Sequence, residues 1–88
     1  MKLDATVLEQ LKQPILSVWQ QVGYQVQLDC EEMGERLDNI SALECCIDAD
    51  RLRYEAGNAR AQKLVDQLCE QHGYDKVLKF LSRNIRLA

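Results

Sequence analysis

Chemistry in this chain would have to come from a short inventory: Cys30, Cys45, Cys46 and Cys69, the lone His72, the serines Ser17, Ser41 and Ser82, and a set of carboxylates. A structural zinc site needs cysteines and histidines in recognisable pairs. Here no Cys-x-x-Cys occurs, and Cys69 with His72 three residues later has no second pair to complete it. Cys45 and Cys46 are adjacent, with Cα atoms about 3.8 Å apart across a trans peptide, which is short of disulfide geometry. The four are expected to be small hydrophobes in a reducing compartment. No serine has a nearby histidine or lies in a Gly-x-Ser-x-Gly turn. His72 precedes Gly73, where an imidazole serves a helix end better than it serves as a general base. Asp48 and Asp50 are two residues apart, so on a helix they face different ways. Phosphate loops, calcium loops and His-Glu-x-x-His are absent from the sequence. The expectation is a non-enzyme, with no catalytic residue, no metal ligand and no cofactor.

Charge is the more informative pattern. The net charge is −3, but it is unevenly placed. Residues 1–28 balance, residues 29–55 hold nine acids against three bases, and residues 56–88 hold six bases against three acids. Lys76, Lys79, Arg83 and Arg86 step by three, four and three, which is one basic stripe on a helix. Glu31, Glu35 and Asp38 step by four and three and read as an acidic stripe, with Glu32 and Asp48 nearby. Each is a candidate partner-binding surface, and each is also what an ordinary solvated helix face looks like. Opposite patches on one chain also permit a homodimer, because a two-fold interface meets each patch twice. Four cations without interleaved aromatics make a thin nucleic-acid footprint, so a protein partner is favoured over nucleic acid. Trp19 is the candidate apolar interface residue, since tryptophan is enriched at protein contacts.

Helices must position these residues. Leu8, Leu11, Ile15, Val18, Trp19 and Val22 form one apolar stripe. Two caps could open it: Asp4, which sets Leu3 against Leu8 as a hydrophobic staple, or Thr6 with Glu9 as a capping box. Pro14 either kinks this helix or starts a second one. Val22, Tyr24, Val26 and Leu28 alternate as a strand would, yet a lone strand has no partner. Helix on both sides of a break near Gly23 is the favoured reading, and one long, nearly continuous helix is its competitor. Asp29 with Glu32 reads as a cap, Ser41 with Glu44 as a capping box opening a helix to about Tyr54, and Ala56-Gly57-Asn58 as a turn with Asn58 as a cap. The next helix buries Ala61, Leu64, Val65 and Leu68 and stops at Gly73. Asp75 caps the last one, which carries Val77, Leu78, Leu81 and Ile85. Setting Gly73 at the turn glycine of a DNA-binding helix-turn-helix puts Lys79 and Ser82 where that motif buries apolar residues, so an αα-hairpin is the better description.

These elements specify an all-α protein: a compact bundle of four to six short helices, with a C-terminal αα-hairpin, in a single domain spanning residues 1–88. The 88-residue length supports one core and not two. Hydrophobic residues at 47% and charged residues at 28% are globular proportions. No apolar run reaches the roughly 18 residues of a membrane span, and none follows the first residues as in a signal peptide. A cytoplasmic protein without membrane attachment is therefore expected.

The stretch from Cys69 through Gly73 to Leu78, together with the small size, resembles short helical proteins of tailed phages and prophages, many of them uncharacterised. The resemblance covers about the last third of the chain. It implies a small cytoplasmic accessory protein that binds a host or phage protein, and it transfers no functional residues. The expected function is a non-enzymatic protein-interaction module, regulatory or inhibitory, acting through a charged helical surface. The alternatives are a nucleic-acid-binding helical hairpin and a structural component of a larger assembly.

Overall fold

A computed structural model describes residues 1–47 and 58–88 and contains, among them, four helices and no strand. Helix α1 spans Ala5–Glu32, α2 Asn39–Ile47, α3 Ala59–His72 and α4 Tyr74–Asn84. The all-α reading holds for the described residues.

Asp4 is the cap of α1, accepting hydrogen bonds from the Thr6 and Val7 backbone N–H groups at 3.1 and 3.3 Å. Leu3 and Leu8 both pack against the core as partly buried residues, as a staple across that cap would place them. Val7, Leu11, Ile15 and Val18 are fully buried along one face, with Trp19 and Val22 half-buried beside them. Pro14 sits inside the helix, which continues through it.

The expected break at Gly23 does not occur. Helix α1 runs through that position without interruption, so the long-helix reading is the correct one. A glycine in mid-helix costs about 1 kcal/mol relative to alanine. Here it makes room, because a Cβ at Gly23 would lie 2.7 Å from Cε2 of the Trp19 indole, one turn earlier. Asp29 likewise caps nothing at an N-terminus. Instead its carbonyl accepts from Met33 N–H at the end of α1. The helix stops at Gly34 (φ 73°), where Gly34 N–H bonds to Glu31 and Glu35 N–H to Cys30. That pair of bonds is a Schellman closure.

Helix α2 begins earlier than the Ser41 capping box implies. Its cap is Asp38, whose carboxylate accepts from the Ser41 N–H at 2.8 Å. The expected extension of this helix to Tyr54 lies outside the described residues, as do Ala56 and Gly57 of the expected turn. Asn58 caps α3 through Ala61 N–H at 3.3 Å, and α3 ends at Gly73 as expected. Asp75 is not the cap of α4. Gly73 holds that position without a side-chain bond, and Asp75 lies in the first turn, where a negative charge suits the helix dipole.

The helices pack in a ring of neighbours: α1 on α2, α2 on α4, α4 on α3, and α3 back on α1. Leu11, Ile15, Leu43, Leu68, Leu81 and Ile85 fill the centre with almost no exposure. Helix α1, about 42 Å long at 1.5 Å per residue, is comparable in length to the 39 Å longest extent of the molecule. None of the described helices is long and apolar enough to cross a membrane.

Candidate functional site

The apolar positions of α4 (Val77, Leu78 and Leu81) are buried on α2 and α3. Its remaining face is solvent-exposed and carries Lys76, Lys79 and Arg83. Three of the four residues of the basic stripe are thus on one helix. Arg86 is not, because α4 ends at Asn84 and Ile85 turns extended (φ −128°, ψ 123°) with its side chain buried. Arg86 is exposed on the tail that follows.

That tail is fixed by a residue for which the local sequence offers no signal. Asn39, the first residue of α2, is 9% exposed. Its Nδ2 donates to the carbonyls of Ile85 and Ser82 at 2.8 and 3.0 Å, and its Oδ1 accepts from Leu87 N–H at 2.7 Å. The side chain thereby closes the C-terminus of α4 and anchors both neighbours of Arg86. Within the last turns, Ser82 Oγ donates to Lys79 O, Asn84 Nδ2 to Phe80 O and the Ile85 N–H to Leu81 O, and Asn39 takes the orphan carbonyl of Ser82.

The acidic residues do not form a helical stripe. Glu31 is in the last turn of α1, Glu35 follows Gly34 in the connection, and Asp38 is the cap of α2. All three are exposed, but the Schellman turn breaks the four-and-three register that would align them. Asp38 is also occupied. The Ser41 backbone N–H is the largest influence on its carboxyl and holds it below the usual carboxylate value. A depressed folded-state pKa gives stability that is present above the unfolded value and lost as pH falls through the folded one. Asp38→Asn keeps an acceptor without a titrating proton. Thermal melts between about pH 6 and about pH 2.5 should therefore show a shallower acid limb for the variant than for the wild type.

Trp19 is half-buried and packed on the core and over Gly23, so it is not an exposed apolar anchor. Large apolar exposure falls on Tyr24, Met33, Ile40, Tyr74 and Met1. The cysteines stand as thiols, Cys46 buried and the others half-buried. Burial and the nearby Asp66 charge push the Cys69 thiol up, away from nucleophilic use. Half-buried His72 places Nε2 2.6 Å from the Met1 carbonyl. Among the described residues, no three His, Cys, Asp or Glu side chains gather as a metal site.

Helices α3 and α4 pack together as a hairpin joined by Gly73 alone. A DNA-binding helix-turn-helix uses a turn of three or four residues, and Lys79, which that motif would bury, is exposed. No family model, curated protein or solved structure matches this chain. Any functional reading rests on the surface just described.

Proposed function

We propose that this chain is a non-enzymatic protein-interaction module, regulatory or inhibitory, which docks an acidic protein surface on the basic face of α4. One observation carries the reading: Lys76, Lys79 and Arg83 are exposed together on a helix whose far end is held by Asn39. A row of cations on a fixed helix backbone steers encounter with an acidic partner from a distance. The accessory role implied by the phage-protein resemblance agrees with this.

The test is capture from the native host with wild-type protein and with the double variant Lys79→Glu/Arg83→Glu. Both positions are exposed, so far-UV circular dichroism should be unchanged. The wild type should retain an acidic protein that the variant loses at least about 10-fold, and retention should fall between about 50 and about 500 mM salt. Equal capture by both proteins overturns the reading. A mobility shift on nucleic acid at low salt that the variant abolishes would replace it with the nucleic-acid alternative.

A further inference from the structure

From Gln13 to Leu28 the chain has no charged residue, although charged residues make up 28% of it. The stretch lies wholly within α1 and covers about 24 Å of helix at 1.5 Å per residue. Its inward positions are core, so absence of charge there needs no explanation. The outward ones are unusual. Gln20, Gln21, Tyr24, Gln25 and Gln27 are all exposed and all neutral. The exposed positions of α3 and α4, by contrast, include Arg60, Lys63, Asp66, Glu70, Asp75, Lys76, Lys79 and Arg83. Tyr24, at 77% exposure, is the most exposed large apolar side chain among the described residues. It sits on the side of α1 away from the buried row Val7, Leu11, Ile15 and Val18.

Loss of charge with an aromatic at the centre is the compositional mark of a contact surface. Ser17, Gln20, Tyr24 and Gln27 follow one another at three, four and three residues, the spacing of a helix–helix seam. We propose that this outer face of α1 is a homodimer seam, in which two copies of α1 pack antiparallel about a two-fold axis between Gln20 and Tyr24.

Three features select a second copy as the occupant. A neutral face has nothing to attract a charged partner and would leave that partner's charges desolvated. Each glutamine amide both donates and accepts, so a glutamine row is complementary to itself. Gln25 gives its amide to Asp29 at 2.9 Å, but the amides of Gln20 and Gln27 are bonded to no other described residue. The three-four-three spacing also maps onto itself when reversed, setting Gln20 against Tyr24 and Ser17 against Gln27 of the other copy. Orientation follows from the flanks. A parallel pair in register would bring Asp29, Glu31 and Glu32 of both copies together, whereas the antiparallel pair sets Glu31 near Gln13. Helix α4 packs on α2 and α3, so its basic face plays no part, and the proposal is independent of the docking function above.

Sedimentation of the full chain from about 10 to about 300 µM should show a monomer–dimer equilibrium, weak because a single, mostly polar helix face meets its copy. It should be nearly the same at about 50 and about 500 mM salt, unlike a contact between charged faces. Tyr24→Glu should raise the dissociation constant at least about 10-fold with unchanged helicity, while Lys79→Glu/Arg83→Glu leaves it alone. Adding Gln20→Lys to Tyr24→Glu should restore the dimer, because the antiparallel register sets position 20 of each copy against position 24 of the other and so pairs the new charges. A monomer at all concentrations, a dimer dispersed by salt, or one indifferent to Tyr24→Glu overturns the proposal. Failure of the double variant to recover overturns the antiparallel register.

Discussion

Replacing Asn39 with alanine is expected to lower stability by about 3 kcal/mol, the summed loss of one buried and two part-buried hydrogen bonds at about 1 kcal/mol each. All three are short, at 2.7 to 3.0 Å, and all end on backbone groups of the α4 terminus and tail. Truncation strips the Ile85 carbonyl and Leu87 N–H of their side-chain partner beside the buried Ile85 side chain. Equilibrium denaturation should register the loss. In a domain of this size it corresponds to a melting temperature lower by about 15 °C. Asn39→Asp is the sharper variant, since it replaces the donor with a carboxylate facing two carbonyls. That carboxyl should have a raised folded-state pKa, so its cost is largest at neutral pH and eases as acid protonates it. An Asn39→Ala protein that melts with the wild type would show that α4 closes without this contact.

The second large effect is expected at Gly73→Ala. Gly73 alone links α3 to α4, at φ 88° and ψ 145°, a conformation almost confined to glycine. A Cβ there would meet nothing within 4 Å, so the cost is purely conformational. About 2 kcal/mol is expected, together with faster amide exchange in the first turn of α4, where Val77 N–H bonds to the Gly73 carbonyl. Because the site is open, Gly73→Ser should lose as much as Gly73→Ala despite its polar side chain. Equal stability of wild type and both variants would mean the link can rearrange without strain.

The parts of the fold that can be read from the chain are those set by near neighbours. Asp4, Asn58 and Gly73 end their helices where local chemistry places them, and the buried face of α1 follows from residues three and four apart. Local patterns mislead where two of them compete. Val22 to Leu28 satisfies both a strand alternation and a helical step, and only the Trp19 ring over Gly23 shows why the glycine belongs inside a helix. Asp38 and Ser41 are both good caps; the one that starts α2 is the one that leaves Asn39 within reach of Ser82 and Ile85. Asn39 itself is beyond any window, because its partners lie 43 to 48 residues away. For the surface, Lys76, Lys79 and Arg83 share a helix as their spacing requires, whereas the acidic set is divided by Gly34, whose left-handed turn ends the register.

The Asn39 contact reads only main-chain atoms, so it is indifferent to which side chains occupy the end of α4. Arg83 and Arg86 can each be exchanged without touching the bonds that hold the helix in place. The scaffold and its exposed lettering are therefore separable. Mutation can rewrite the charge on this surface while the fold stays constant, which makes this end of the molecule the natural place to engineer a binding specificity.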